Sequence, residues 1–243
     1  TGLTKANRAV YAHNDMGELE AVLSANSEAK RKLIITDGVF SMDGDIAPLD
    51  EIDKLAKEYG AMVYVDDCHG EGVLGDTGAG IVDHFGLQGS IDFETGSFSK
   101  ALGVQGGILA GTEMTRNHAL NHSRSWLLSG SQPPGVAAAQ KAAVEVLMEE
   151  PEHHQKLWEN TNYFRTELQS MGFDTGVSTT PIIPVMCGES SVAKEFTTQL
   201  SNEGVMAGAI VFPMVARDKA RIRTQMSAGL SRTDLDEVLR IFE

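Results

Sequence analysis

The pattern of apolar and polar positions divides the first half of the chain into strands and helices. Residues 32–36 and 61–65 are apolar, partly β-branched runs of strand length, and the segment between them has apolar residues at helical spacing. Gly60 suits the end of that helix. Short strands are also predicted at 91–96 and 107–111. Strands that alternate with a helix predict an α/β fold with a largely parallel sheet.

The remaining chain predicts more helices and a smaller second domain. A helical region is broken at 129–134, and the alanine-rich run 136–148 is predicted to be a buried helix between two domains. From residue 151 the order is helix, strand, helix, two strands and a final helix. A short strand is also predicted at 6–11. We therefore expect a larger domain over 1–150 and a smaller one over 151–243.

Composition and charge narrow the class of protein. The 243 residues are 42% hydrophobic and 22% charged, as in ordinary globular proteins, and the net charge is −14. This acidity argues against a nucleic-acid or anionic-membrane surface, although a local basic patch is compatible with it. Cys68 and Cys187 have no metal-type spacing, so free thiols and no metal are expected. Without a membrane-length apolar run or a signal peptide, a cytoplasmic protein is predicted.

Two short segments carry the candidate chemistry. The strand 61–65 ends in Asp66, Asp67 and, two residues on, His69; ligands of open α/β sheets bind beyond such strand ends. Asp66 and Asp67 are adjacent, so only one can face a ligand there, and the other is expected to be structural. Lys100 follows a polar turn and is either a solvated lysine or an amine that forms a Schiff base. Pyridoxal phosphate (PLP) needs such a lysine and a carboxylate for its ring nitrogen.

Four blocks of sequence, in order, resemble the α-oxoamine synthases, PLP-dependent enzymes that condense an amino acid with an acyl-CoA. Lys100 follows Asp66 by 34 positions, and this spacing also resembles that of the family. The resemblance implies PLP-dependent transferase fold type I, with a mostly parallel large domain, incomplete here, and a smaller α+β C-terminal domain. It places residue 1 well inside a member's polypeptide, so about the first third of such an enzyme is expected to lie outside this sequence. The blocks are residues 36–44, 65–69, 96–103 and 221–228.

The resemblance also implies roles for individual residues. Lys100 would bind the cofactor and act as the base that removes the substrate's α-proton. Asp66 would contact the pyridine nitrogen, and His69 would lie against the ring, orient its phenolic oxygen and assist proton transfer. Arg223 would bind the substrate α-carboxylate, because a forked guanidinium suits a carboxylate. Arg221, which has the same phase in the strand, is expected to be a surface arginine.

The resemblance assigns cofactor contacts to serines that could equally be turn hydroxyls. Ser41 would lie near the phenolic oxygen, and Ser97, where the family more often has threonine, would bond the phosphate. Ser129 or Ser131 would reach the phosphate of a neighbouring subunit, which implies a homodimer with shared active sites. One departure is Gly229, which stands where the family tends to have a histidine.

The block around Arg223 most resembles the glycine C-acetyltransferases of the family. The expected reaction is therefore the condensation of glycine with acetyl-CoA to give 2-amino-3-oxobutanoate and free CoA. Alternatives within the family are 8-amino-7-oxononanoate synthase, 5-aminolevulinate synthase and serine palmitoyltransferase. An aminotransferase or aldolase on the same fold, and an inactive fragment without cofactor, also remain open.

Overall fold

The computed structural model describes residues 4–243 and has two separate β-sheets surrounded by helices. The helices are α1 (Met16–Ala25), α2 (Leu49–Tyr59), α3 (Ile81–His84), α4 (Glu113–His122), α5 (Arg124–Leu127), α6 (Pro134–Glu149), α7 (Glu152–Ser170), α8 (Ser190–Asn202) and α9 (Arg232–Phe242). The strands are β1 (Leu33–Asp37), β2 (Met62–Asp66), β3 (Phe93–Ser97), β4 (Gly107–Gly111), β5 (Ile182–Gly188), β6 (Gly208–Ile210) and β7 (Ala220–Gln225).

The first sheet has the order β1-β2-β3-β4 and is mostly parallel, as the sequence predicts. β1 pairs with β2 and β2 with β3 in parallel, whereas β4 runs antiparallel to β3. The second sheet has the order β5-β7-β6, and both of its pairs are antiparallel.

Several helix ends follow from local sequence. The Asp15 side chain caps α1 by accepting the Glu18 N–H at 2.9 Å. Gly60 ends α2 in the left-handed conformation (φ 59°), which glycine adopts without steric cost. Ser231 and Asp234 form a reciprocal capping box at α9. These caps fix where the helices begin and end against the sheets.

Each sheet has its own hydrophobic core. The first core lies under β1 and β2 and includes Val63, Val65, Leu49 and Ile52. The second packs α7, α8 and α9 on the other sheet, with Phe164 buried among aromatic neighbours. A domain boundary near residue 150 stays a prediction, although the two cores are compatible with it.

Three predicted elements differ in the structure. Residues 6–11 form no strand: Val10 is 86% exposed, and the segment pairs with no strand in the described residues. The strand predicted at 205–212 is reduced to β6, which pairs over only three residues with β7. Helix α6 forms, but none of its residues is buried, contrary to the prediction. Its alanine-rich sequence favours a helix whether or not the helix is covered.

No helix among residues 4–243 is long and apolar enough to cross a membrane.

Candidate active site

Carboxylates converge where the parallel strands of the first sheet end. Asp37 ends β1 and Asp66 ends β2, and the parallel register places these two residues side by side. The Asp66 Oδ1 accepts the Cys68 N–H at 3.1 Å. Burial and the Asp66 charge raise the pKa of Asp37. The Lys100 charge opposes them, but the net pKa is raised. Lys100 is therefore close to this pair of carboxylates.

Asp37 was not singled out from the sequence, although it lies in one of the four blocks. The argument that selected Asp66, a carboxylate at the carboxyl end of a parallel strand, applies equally to Asp37. What the sequence does not show is the register, which decides that the two strand ends lie level.

Asp67 faces away from these groups and holds the loop that follows β2. Its side chain is fully buried, and its Oδ2 accepts the Ile81 N–H at 2.8 Å, at the start of α3. Gly70 and Gly80 both lie very close to Asp67. A Cβ on Gly70 would be 2.0 Å from an Asp67 oxygen, and a Cβ on Gly80 would be 2.3 Å from one. Burial raises the Asp67 pKa to about 8. The structural role expected for one of the two aspartates agrees with this geometry.

His69 and Lys100 line a cleft of about 610 Å³ between the two halves of the molecule. We call it the central cleft; its walls are the loop after β2, the Lys100 turn, helices α6 and α7, and the segments 180–182 and 225–228. Burial, and then the nearby Lys100 and Arg223 charges, lower the His69 pKa to about 4 despite the opposing effect of Asp66. The imidazole is therefore neutral at physiological pH and near both cations.

Lys100 sits in a compact turn directly after β3. The Phe98 N–H donates to the Gly106 oxygen at 3.0 Å, the Val104 N–H to the Phe98 oxygen at 2.7 Å, and the Gly103 N–H to the Lys100 oxygen at 3.1 Å. We call residues 97–106 the Lys100 turn. At its start, the Ser97 and Ser99 hydroxyls are 2.7 Å apart. Ser97 is thus on the same turn as the lysine, which fits its predicted contact with a cofactor phosphate.

Arg223 and Ser41 meet from different sheets. The Arg223 Nη1 donates to the Ser41 backbone oxygen at 3.0 Å, so β7 of the second sheet contacts the loop after β1. Ser41 thus lies beside a guanidinium whose charge also acts on His69. Both predicted residues are therefore in the neighbourhood of His69.

Arg221 is not the surface arginine that the sequence suggested. It is only 4% exposed, forms an ion pair with Asp43 and donates to the Met42 oxygen at 2.9 Å. The prediction was wrong because strand phase alone does not reveal the loop from the first sheet that covers this residue. Arg221 therefore fixes that loop to β7, next to Arg223.

Ser129 and Ser131 are not brought to the central cleft. Both are exposed in the loop before α6, where the Ser129 hydroxyl contacts the Trp126 oxygen at 3.3 Å. Their predicted contact with a neighbouring subunit stays a prediction. Within the described residues, no group of three or more His, Cys, Asp or Glu side chains is arranged to hold a metal ion, and both cysteines are free thiols.

Comparison with known proteins identifies the family. The model of the family "Aminotransferase class I and II" matches residues 3–242. The chain therefore belongs to the aminotransferase class I and II family. Within it, the relatives and structures below confirm the resemblance to the α-oxoamine synthases.

Curated relatives in two bacteria are strongly similar over almost the whole chain. The 8-amino-7-oxononanoate synthase 1 of Bacillus subtilis is 49% identical over 241 residues, which are 99% of this chain and 62% of the relative. The 8-amino-7-oxononanoate synthase of Fervidobacterium nodosum is 52% identical over 244 residues, again 99% and 62%. The chain thus spans about three fifths of the length of these relatives.

A solved structure shares the fold. A high-resolution structure of SPT (serine palmitoyltransferase) with PLP has a TM-score of 0.90 and 31% identity, over 95% of this chain and 58% of that one. That structure contains PLP, the cofactor expected from the sequence, and shares the PLP-dependent transferase fold type I that the sequence resemblance implied. The side chains of this chain fit PLP, because the Lys100 amine and the neutral His69 imidazole line one cleft and the two strand-end carboxylates lie close to them.

Proposed function

We propose that this chain carries the active-site residues of a PLP-dependent enzyme that condenses an amino acid with an acyl-CoA. The observation that carries the proposal is that His69 and Lys100 line one cleft. The charges of Asp66 and Arg223 are close enough to act on the His69 imidazole. The similarity to named 8-amino-7-oxononanoate synthases supports the same reaction class.

Lys100 and Asp66 would hold the cofactor from two sides. Bound there, PLP supplies an electron-withdrawing ring that stabilises negative charge on the substrate's α-carbon. The Asp66 carboxylate would accept a hydrogen bond from the protonated ring nitrogen and keep the proton there. The Lys100 Nζ would bind at the aldehyde carbon and later accept the α-proton of the amino acid.

His69 and Arg223 would orient the ring and the substrate. Because burial and two cations keep the His69 imidazole neutral, it can donate one hydrogen bond and accept another without adding charge to the cleft. Arg223 donates one N–H to the Ser41 oxygen, which fixes the guanidinium and leaves further N–H groups for a carboxylate. Ser97 and the Ser41 hydroxyl would complete the polar contacts to the cofactor.

The substrate pair that we favour is that of 8-amino-7-oxononanoate synthase, not the glycine and acetyl-CoA first expected. Both relatives named above have that name. A nine-carbon product with a 7-oxo and an 8-amino group requires a seven-carbon acyl thioester and alanine. The alanine α-carbon bonds to the acyl carbon, the thiol leaves as free CoA, and the alanine carboxylate leaves as CO₂. The central cleft offers apolar walls to such a chain at Leu102, Val146 and Leu147.

The first test measures cofactor capture at Lys100. The protein is mixed with PLP, reduced with borohydride and digested, and the peptides are mapped by mass. We expect a pyridoxyl group on Lys100 in the native sequence and none at that position in Lys100→Ala. Capture on other lysines with equal yield in both proteins would contradict the site.

The second test separates the reaction classes. Alanine with a heptanedioyl thioester of CoA, and glycine with acetyl-CoA, are supplied in parallel, and free thiol and keto product are measured. Thiol release that requires alanine and the longer acyl group supports the proposal. Turnover of glycine with acetyl-CoA at a higher kcat/KM would restore the first expectation, and amino-group transfer without thiol release would indicate an aminotransferase.

A further inference from the structure

The loop after β2 contacts the Lys100 turn through two residues that neither the sequence motifs nor the proposed chemistry assigns. Glu71 lies against Gly96, the residue just before the turn, and Gly72 lies against Ala101, the residue after the lysine. Both loop residues also line the central cleft. The loop thus contacts the polypeptide on both sides of Lys100.

The contact between Glu71 and Gly96 is unusually close. A Cβ placed on Gly96 would lie 1.8 to 1.9 Å from the Glu71 carboxyl carbon and both of its oxygens. The carboxylate therefore occupies the space that any side chain at position 96 would need. Gly96 has an ordinary extended backbone in β3, so glycine is required here by this neighbour and not by its own conformation.

The Glu71 carboxylate also lies close to the backbone where the Lys100 turn begins. Burial raises the Glu71 pKa, and the nearby Ser97 N–H opposes that rise. One carboxylate oxygen, Oε2, is buried and has no hydrogen-bond partner among the described residues. The carboxylate thus packs against the start of the turn with one oxygen enclosed by protein.

We propose that Glu71 is a positioning residue for Lys100. It packs against the face of Gly96 at the end of β3, beside the Ser97 N–H, and so sets where the Lys100 amine enters the central cleft. The contact itself is independent of the proposed function, but its consequence for a bound cofactor depends on that function.

The surrounding charges indicate that contact, not negative charge, is what Glu71 contributes. The Glu71 charge raises the pKa values of Asp67, Glu94 and the Cys68 thiol. The Asp66 charge in turn raises the pKa of Glu71. A neutral amide of the same shape would keep the contact with Gly96 and relieve this repulsion. Glu71→Gln is therefore the conservative variant, and Glu71→Ala removes the contact.

The decisive measurement is amide hydrogen exchange in the protein without cofactor. The Phe98, Gly103 and Val104 N–H groups are hydrogen-bonded within the Lys100 turn and report its opening. We expect exchange of the peptide that spans the turn to be about tenfold faster in Glu71→Ala, because the packing of the carboxylate against Gly96 is lost. In Glu71→Gln it should stay close to the native rate, as in the exposed control Glu51→Ala on α2.

A second variant tests the contact from the opposite side. Gly96→Ala must displace the Glu71 carboxylate, so it should accelerate exchange in the same peptide. Since both substitutions break one contact, the Gly96→Ala, Glu71→Ala double variant should be no faster than Glu71→Ala alone. Additive effects of the two substitutions would overturn the proposal.

Two further outcomes distinguish positioning from a general structural role. Uniformly faster exchange over the whole first sheet in Glu71→Ala would mean that Glu71 stabilises the fold and does not position the turn. Loss of protection in Glu71→Gln equal to that in Glu71→Ala would mean that the charge matters, against the proposal. Because exchange requires no PLP, a failure of the proposed function would leave these results unaffected. If that function holds, borohydride trapping of PLP on Lys100 should slow in Glu71→Ala and not in Glu51→Ala.

Discussion

The two sheets differ in how completely they are covered. In the first sheet, Ile34 is buried on one face of β1, whereas Leu33 and Ile35 on the other face are 46% and 45% exposed. The register continues this second face from Ile35 to Tyr64 and Phe93, whose rings stack at 6.0 Å. In the second sheet, the first four residues of β5 are all buried. Parallel strands are usually covered on both faces, so the open face is the unusual one.

Two candidate site carboxylates lie on the open face. Asp37 and Asp66 continue the rows of Leu33, Ile35 and their β2 partners towards the carboxyl end of the sheet. The second sheet instead contributes a well-packed support that presents Arg223 from β7. The two sheets therefore place polar groups differently. Asp37 and Asp66 lie at strand ends beside solvent, whereas Arg223 lies on a strand that a surrounding core holds in position.

The largest expected effect comes from the covered half. Phe164→Ala should lower the free energy of unfolding by about 3–5 kcal/mol, because Phe164 is 1% exposed and contacts the Phe242 ring edge-on. Ile35→Ala on the open face should cost less than about 1 kcal/mol, since much of that side chain is already in water. Urea unfolding of both variants measures the contrast.

Equal costs for these two substitutions would mean that the open face is covered in solution. In that case the concentration dependence of the unfolding midpoint would show whether a second copy of the chain covers it.

The pH dependence of stability tests the buried carboxylate of the first half. The pKa of Asp67 is about 8 in the folded state, against 3.8 for an ordinary aspartate, so the folded state binds the proton more tightly. This group's favourable contribution is complete below pH 4 and is lost as the pH rises towards 8. Asp67→Asn cannot ionise, so this decline should disappear. Between pH 5 and 8, the unfolding free energy of the native protein should fall by about 2 kcal/mol more than that of Asp67→Asn, after relaxation of the site is allowed for.

The measurement compares unfolding free energies of native protein and Asp67→Asn at several pH values. Asp53→Asn on α2 is a suitable control, because that carboxylate pairs with Lys57 in the same half. Parallel curves for the native protein and Asp67→Asn would show that Asp67 is ionised in the folded state.

The sequence predicted what local patterns encode. The helix end at Gly60, the order of strands and helices, and the family motifs around Lys100 were all recognisable from spacing and residue type. Asp37 was missed because its importance comes from register with Asp66. Burial was misjudged for Arg221, and likewise for helix α6, because coverage depends on segments distant in sequence.

The arginines of β7 offer the finest test of the comparison, because they share a strand and face different environments. Arg221→Met should cost about 1–2 kcal/mol of stability, since it removes a buried guanidinium that bonds Asp43 and the Met42 oxygen. Arg223→Met should cost less than about 1 kcal/mol, because this side chain is half-buried and donates only to the Ser41 oxygen in the structure.

Activity should reverse that order. If Arg223 binds the substrate carboxylate, Arg223→Met should lower kcat/KM for the amino acid by about 10- to 100-fold, the value of a charged hydrogen bond. Arg221→Met should change it less, because Arg221 acts only through the loop that it anchors. Steady-state kinetics with alanine as the varied substrate measure this. A larger loss in Arg221→Met would mean that the position of the loop 41–44, and not the Arg223 guanidinium, controls binding of the amino acid.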